Sequence, residues 1–587
     1  MPSYKAPIRD FKFALNEFLE IQNYSNEIEG LKDLSIIDPI LEEGARFAEE
    51  ILFPLNAIGD KQGLRFENNQ VFLPDGFVDA YKTYVASGWA SFACTKEYGG
   101  QGLPHVINTP LIEMICSANL SFGLIPGLTH GAYSALEIFG TLEQKKKYLP
   151  NLITGSWTGI MCLTEPQAGT DLGLIKTKAI PTKDGSFEIT GTKIFISCGE
   201  HDASENIIHL ILARLPDAPE GVKGISLFVS SKFKINEDGS LGERNKVICS
   251  SIEHKMGIHA SPTCVMNYDG AIAYLVGEPN RGLKAMFTMM NEARILVGLQ
   301  GLGIGEVAYQ NALNYANERL QARSVNGAKF PEKPADPITV HPDVKRMLLT
   351  CKAFTEGGRI LACLINLNVD IAKHHSDAKE RQKADDLVQL LTPIVKAYLT
   401  EGGTKTANLA VQIHGGYGYI REYGVEQYLR DCRITEIYEG TNGIQSLDLV
   451  GRKLPHQTGK YLRGFFHLVD SFIEENKANE KLADLNKPLN QAFKSLQQAT
   501  LWIAQKGLSN KEEAISGSYD YLQLFSLVVM GYIWAKSASI SYNAIAKGTS
   551  EQEFYQDKIK TAGFFMNKIL PEHYSLLAKI ASGGKWL

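Results

Sequence analysis

From Ile37 to about Gly155 the apolar residues recur every three or four positions, as in Pro39-Ile40-Leu41-Glu42-Glu43-Gly44-Ala45-Arg46-Phe47-Ala48, and Gly and Pro separate one run from the next. That is the period of an amphipathic helix, so the region predicts a helical domain. Between about 160 and 280 the period shortens to two. Phe187 to Ser197 alternates after an Asp184-Gly185 turn, and Asn206 to Leu215 and Gly224 to Ser231 are further β-branched runs, which together predict an all-β insert of several strands. Helical patterns return from Gly282 to Gly451, among them Gly282 to Arg323 and His341 to Leu367. The Gly-, Lys- and Pro-rich stretch between them, Asn326 to Pro342, predicts an exposed loop. After Leu454-Pro455-His456 a last helical block, apolar at 461–473, 522–535 and 562–578, runs to Leu587 with cores of its own.

The expected class is therefore α+β multidomain. The predicted parts are an N-terminal extension at 1–36, a helical domain at 37–158, a middle β-domain at 159–281, a helical domain at 282–452 and an additional C-terminal helical domain at 456–587. The extension carries Phe11, Phe13, Leu15 and Phe18, which suit docking on a neighbouring element.

Composition narrows the class of function. A chain of 587 residues that is 44% hydrophobic and 21% charged is an ordinary soluble globular protein. A net charge of −5 gives no electrostatic reason to expect a nucleic-acid partner. The nine cysteines are scattered and never form a C-x-x-C pair, which suits reduced thiols in the cytoplasm and neither a disulfide framework nor a metal site. The N-terminus lacks an apolar signal core, so no export is predicted. The longest apolar run, Leu522 to Ala535, is too short to span a bilayer and predicts a buried helix, with no integral membrane segment.

Five segments could carry chemistry. Ile437-Tyr438-Glu439-Gly440-Thr441-Asn442-Gly443-Ile444 sets a carboxylate beside a tyrosine at a glycine-punctuated turn, where it can serve as a base or be a solvated loop residue. Met161-Cys162-Leu163-Thr164-Glu165-Pro166-Gln167-Ala168-Gly169-Thr170-Asp171 runs from a strand-like start into a turn with hydroxyls and backbone donors, such as the edge of a flat heteroaromatic cofactor needs. Lys193 to Gly199 puts Phe195 and Ser197 on one strand face, for stacking and hydrogen bonding to one ligand or simply for the core. Asn291-Glu292-Ala293-Arg294 and Tyr315 to Arg323 carry arginines suited to phosphate, or to a solvated helix face. Gln412-Ile413-His414-Gly415-Gly416-Tyr417-Gly418-Tyr419 is a glycine-rich turn that admits close approach of a ligand, or caps a helix; it is not a Rossmann fingerprint.

Singly these segments decide nothing, but their order resembles the acyl-CoA dehydrogenase family, over roughly residues 40–450. The opening Tyr4 to Asp10, Glu318 to Ser324, and Pro334 to Ile338 with His341 to Leu349 are similar to the 3-methylmercaptopropionyl-CoA dehydrogenase branch, which also has the additional C-terminal domain. The resemblance implies an N-terminal helical domain, a middle β-barrel or sandwich domain, a C-terminal four-helix bundle and FAD as cofactor. It implies α,β-desaturation of an acyl-CoA thioester, with Glu439 removing the α-proton while a hydride leaves the β-carbon for flavin N5. Related enzymes carry the base immediately before the arginine matched by Arg294, where this chain has Ala293.

By the same resemblance, Met161, Leu163, Thr164, Gly169, Thr170, Phe195, Ile196 and Ser197 serve the flavin, Arg319 meets its pyrophosphate, and Thr441 contacts its nucleotide part. Gln412, Gly415 and Gly416 reach the cofactor of a second subunit. Thr170, Asn291, Arg294, Tyr438 and Gly440 bind the substrate, and no metal is expected. Phe195 stands where the family often has tryptophan, and Gly443 replaces a polar residue common there. The implied partners are an acyl-CoA, either 3-methylmercaptopropionyl-CoA or a medium- or long-chain fatty acyl-CoA, an electron-transfer flavoprotein, and a second copy in a cytoplasmic homodimer. The alternatives are an acyl-CoA oxidase and a flavin-containing DNA-associated protein. The second is disfavoured because residues 456–587 contain no Arg/Lys-rich run with interleaved aromatics.

Overall fold

The computed structural model describes residues 2–587. The chain divides into two compact units, one built from the chain up to Ala45, Pro104–Ser117 and Val297–Leu587, the other from Arg46–Leu103 and Ala118–Leu296.

The second unit is organised by a seven-stranded sheet that closes on itself. Phe187–Ser197 pairs antiparallel with Thr263–Val276, which pairs with Ile225–Ser231, which pairs in turn with Asn206–Arg214. Lys178–Pro181 joins the first of these strands to the last through the pair Lys178↔Arg214, completing a five-strand ring. Trp157–Cys162 and Val247–Ile252 attach to this ring as edges. In this ring Ile207 to Ala213 is wholly buried, which explains why the strand reads as an apolar run, broken only by His209, without alternation.

Helix Leu120–Phe139 lies against the edge strand Trp157–Cys162, where a Cβ on Gly159 would meet the Ala132 Cβ at 2.4 Å. Within the region that reads as helical, a hairpin pairs Arg65–Glu67 with Gln70–Phe72, and Asn68 and Asn69 both take positive φ in its turn. Two consecutive asparagines are a two-residue hairpin signal that the helical periodicity masks.

The first unit is helical. Pro342–His374 and Ala378–His414 are its longest wholly contained helices, and the part of Gly282–Glu318 from Val297 onward packs on the latter. A Cβ on Gly403 would lie 2.1 Å from the Gly301 carbonyl oxygen, so two glycines allow this close crossing. Gly282–Glu318 stops five residues short of the predicted Arg323, because Leu320 bridges to Pro337 and Ala322 turns to φ 59°. The following loop is mostly exposed but has a buried centre: Asp336 accepts backbone N–H groups from Ser324, Lys329 and Phe330.

The N-terminal extension finds its place in this unit, with Phe11, Phe13 and Phe18 buried. Lys558 pairs with both Asp10 and Glu356, and the Arg9 guanidinium lies 4.0 Å from the Phe554 ring centroid. The C-terminal helices surround Ser518–Ala546, whose Trp534 is fully buried and donates its indole N–H to the Ala353 carbonyl at 3.2 Å. At 29 residues this helix is longer than the apolar run that predicts it, and by length and composition it could cross a membrane. However, 83% of its most apolar window is buried inside the protein, as in a core helix.

Candidate functional site

On the sheet-bearing unit, strand Trp157–Cys162 ends at the buried Met161 and Cys162, and the chain then turns through Leu163, Thr164, Glu165 and Ala168 to the exposed Gly169 and Thr170. The turn is clamped onto strand Phe187–Ser197. Ile194 N–H donates to the Thr164 carbonyl at 2.9 Å, and the buried Lys193 ammonium reaches both the Leu163 carbonyl, at 3.0 Å, and Glu165 Oε1, at 2.9 Å. Glu165 also accepts from Lys176 N–H, Thr177 N–H and the Thr177 hydroxyl. Burial pushes the Glu165 carboxyl up, but Lys193 and these donors outweigh it and hold the group at about 2. Burial pushes the Lys193 ammonium down against the pull of Glu165. The two directions oppose each other, and the extra donors on Glu165 make the carboxylate's the governing one.

Beyond Lys193 the strand bulges. Ile194 and Phe195 together oppose the single residue Val265, and Phe195 adopts φ 57°. The bulge shifts the buried phase from Lys193 to Ile196, which leaves Phe195 60% exposed and Ser197 half-buried. An apolar ring that large, set in the left-handed region and turned out of the core, is available as a stacking surface.

On the helical unit, the chain leaves the one-turn segment Arg433–Glu436 and enters helix Asn442–Asp448 through Tyr438, Glu439 and Gly440. Glu439 is at φ 58° and Gly440 at φ 84°. For glycine the left-handed region carries no steric cost, whereas for glutamate it costs about 1 kcal/mol or more. Side chains hold the turn in place. The buried Gln445 amide donates to the carbonyls of Glu439 (3.2 Å) and Gly440 (3.1 Å), and the Tyr438 hydroxyl donates to Gln300 Oε1. Thr441 caps the next helix by accepting Ile444 N–H at 3.3 Å. Glu439 itself is half-buried.

The same unit carries a cavity of about 470 Å³ lined by Tyr315, Arg319, His414, Gly415, Gly416 and Tyr417, among others. Helix Ala378–His414 ends there on Gly415 at φ 60°. A Cβ added at Gly415 or Gly416 would meet nothing within 4 Å, so these glycines border open space. His414 stacks on Tyr315 at 4.3 Å between centroids, its Nδ1 faces the Ala410 carbonyl at 2.7 Å, and burial lowers its pKa, all as for a packed neutral histidine. The Arg319 guanidinium lies over Tyr417, 5.5 Å from the ring centroid. Arg319, Gly415 and Gly416 thus line one cavity, with Gln412 exposed one turn back.

The chain matches four family models: acyl-CoA dehydrogenase N-terminal domain at 40–156, middle domain at 160–271, C-terminal domain at 280–454, and acetyl-CoA dehydrogenase C-terminal like at 465–587. It is 44% identical over 589 residues to the 3-methylmercaptopropionyl-CoA dehydrogenase of Ruegeria pomeroyi, covering 99% of this chain and 98% of that one. It belongs to the acyl-CoA dehydrogenase family. It is also 32% identical to a butyryl-CoA dehydrogenase of Syntrophomonas wolfei, across 97% of this chain and 95% of that one. Among solved structures it is similar to an acyl-CoA dehydrogenase complexed with FAD from Bacillus anthracis, with a TM-score of 0.75 at 24% identity, over 94% of this chain and 90% of that one.

As an acyl-CoA dehydrogenase, an oxidoreductase acting on acyl-CoA, the chain holds its remaining candidate residues on helix Gly282–Glu318. Asn291 is half-buried, Ala293 and Arg294 are buried, and the Glu292 carboxylate lies 3.5 Å from His130 Nδ1. Sequence reasoning assigned no role to Glu165, Lys193, Gln300, Gln445 or Asn442, which hold the two turns. Lys193 did leave a signal, a lone lysine at an inward position of an alternating strand.

Proposed function

We propose that this protein is an FAD-dependent acyl-CoA dehydrogenase in which Glu439 is the base that removes the α-proton of an acyl-CoA thioester. The observation that carries this reading is the strained turn: a glutamate in the left-handed region, its carbonyl tied down by Gln445, within the family's Tyr-Glu-Gly-Thr sequence. A backbone so fixed sets the position from which the side chain enters the reaction. The residues present also suit FAD. The Leu163–Thr164 edge offers backbone and hydroxyl groups, Phe195 an exposed ring, and Arg319 with the open Gly415–Gly416 face a cationic cradle for a nucleotide. Bound FAD supplies the acceptor for the hydride that leaves the β-carbon.

The chain's own residues do the rest. Glu439 takes the α-proton, its backbone N–H faces the thioester oxygen on which negative charge develops, and Tyr438 and Gly440 flank that group. Met161, Leu163, Thr164, Gly169, Thr170, Phe195, Ile196 and Ser197 hold the flavin ring end, and Thr441 retains a hydroxyl for the nucleotide end. Arg319 joins Gln412, Gly415 and Gly416 on one nucleotide, that of a second subunit in a homodimer, because it shares their cavity. Thr170, Asn291 and Arg294 hold coenzyme A. The nine buried cysteines suit a cytoplasmic enzyme, and an electron-transfer flavoprotein is the proposed oxidant.

The 44%-identical relative makes 3-methylmercaptopropionyl-CoA the first substrate to test. The purified protein is titrated anaerobically with 3-methylmercaptopropionyl-, butyryl-, octanoyl- and palmitoyl-CoA while flavin absorbance is followed. Bleaching by at least one supports the reading and ranks the substrates; a flavin that none of them bleaches sinks it. Fast aerobic turnover with peroxide release would replace the flavoprotein acceptor with oxygen.

A further inference from the structure

Helix Ser518–Ala546, in the additional C-terminal domain, carries Tyr519 and Gln523 near its start. Gln523 Nε2 donates to Glu401 Oε2 at 2.6 Å, and Glu401 Oε1 accepts from Asn442 Nδ2 at 2.9 Å. The Tyr519 hydroxyl lies near the same carboxylate, whose pKa burial pushes up. Asn442 is 6% exposed and held on both sides: its Oδ1 accepts from Lys396 Nζ at 2.8 Å, and its Nδ2 also reaches the Thr400 hydroxyl at 3.1 Å. A carboxylate only accepts, so both flanking amides must turn their N–H groups toward Glu401, which fixes the Asn442 amide in one orientation. Asn442 opens the helix from which Gln445 grips the Glu439 carbonyl, and Ser446 of that helix meets Ser518 hydroxyl to hydroxyl at 3.2 Å.

We propose that the additional C-terminal domain positions the base: Gln523, acting through Glu401 and Asn442, fixes helix Asn442–Asp448 and with it the left-handed turn at Glu439. Gln523 and Glu401 are positioning residues in this scheme, and the inference rests on Glu439 being the base.

The test uses the full-length, flavin-loaded protein with Gln523→Leu, Glu401→Leu and Glu401→Gln, and the acyl-CoA that bleaches the unaltered protein fastest. Three quantities are measured: the limiting bleaching rate, the acyl-CoA dissociation constant, and amide hydrogen exchange across 437–448. Both leucine variants should slow bleaching about tenfold to a hundredfold, with affinity unchanged within about twofold and exchange across 437–448 accelerated. Glu401→Gln should restore both readouts, because a glutamine can accept from Asn442 and donate to a flipped Gln523 amide. The inference is overturned if the leucine variants bleach and exchange normally, if Glu401→Gln is as slow as Glu401→Leu, or if the loss lies in acyl-CoA affinity alone. Glu439→Gln separates the two readings. Normal bleaching there removes the base assignment, while the exchange measurement still decides whether the tether holds the turn.

Discussion

Phe195 and Glu439 share an uncommon backbone conformation, φ 57° and φ 58°, and are held in it by different means. Phe195 sits in a bulge of a sheet whose ladder continues on both sides, with Lys193 paired to Met266 and Ile196 to Cys264, and with Cys198 N–H bonded to the Pro262 carbonyl at 2.8 Å. Glu439 has no ladder. Its turn is fixed by the amide of Gln445, by Tyr438 on Gln300, and by Asn442 on Lys396, Thr400 and Glu401. Backbone pairing keeps a local conformation when a side chain is changed, whereas a conformation locked by side chains can be loosened one residue at a time. The chain thus pairs a stiff surface, where stacking is proposed, with a tunable turn, where proton transfer is proposed.

Removing the proposed base is the strongest way to separate the two regions. Glu439→Gln preserves the size of the side chain, so flavin and acyl-CoA binding should persist, while bleaching by acyl-CoA falls by about 10²–10⁴-fold. Rapid mixing with flavin absorbance reads this directly, and a loss below tenfold would detach the strained turn from catalysis. On the stiff side, the vulnerable group is the buried ion. Lys193→Met leaves Glu165 a buried carboxylate with hydrogen-bond donors but no cation and should cost up to about 3–5 kcal/mol in urea unfolding. Replacing both members, with Glu165→Gln added, should recover much of that loss, since no charge is then buried. If the double variant is no better than the single one, the pair's charge is not what holds the turn.

Legibility from sequence follows the same divide. The strands Asn206–Arg214 and Ile225–Ser231 are continuous β-branched runs and the long helices are periodic over many residues, and both were readable as such. Lys178–Pro181, four residues long, was not, although it closes the ring. The segment proposed to carry the base stood out in the sequence because Tyr438, Glu439, Gly440 and Thr441 are consecutive. Its supports did not, because Gln300, Lys396, Glu401 and Gln523 come from distant helices and each alone looks like an ordinary polar residue. The strain at Phe195 was hidden because alternation predicts a regular strand and gives no sign of a bulge.

The Glu165 carboxylate also makes the stiff region sensitive to acid. Its folded pKa, about 2, lies below the ordinary 4.5, so the stability it contributes is complete above about 4.5 and is lost as the pH falls toward 2. That contribution is at most about 3 kcal/mol, less what the burial of Lys193 takes back. Unfolding compared at pH 7 and pH 3.5 should show Glu165→Gln costing less at the lower pH; an equal cost at both would mean that the carboxylate's charge is not used.

The smallest effect probes the shared conformation directly. Asparagine tolerates the left-handed region better than phenylalanine does, so Phe195→Asn should relieve strain of about 1 kcal/mol. Phe195 is already 60% exposed, so little core packing is lost in exchange. The melting temperature of the flavin-free protein should hold or rise. Flavin affinity should nonetheless fall about tenfold, because the ring proposed to stack on the cofactor is gone, a loss comparable to an aromatic contact of about 1 kcal/mol or slightly more. The two readouts moving in opposite directions would show that the strain at Phe195 is maintained for the cofactor; a fall in apoprotein stability with flavin affinity unchanged would assign the ring to packing instead.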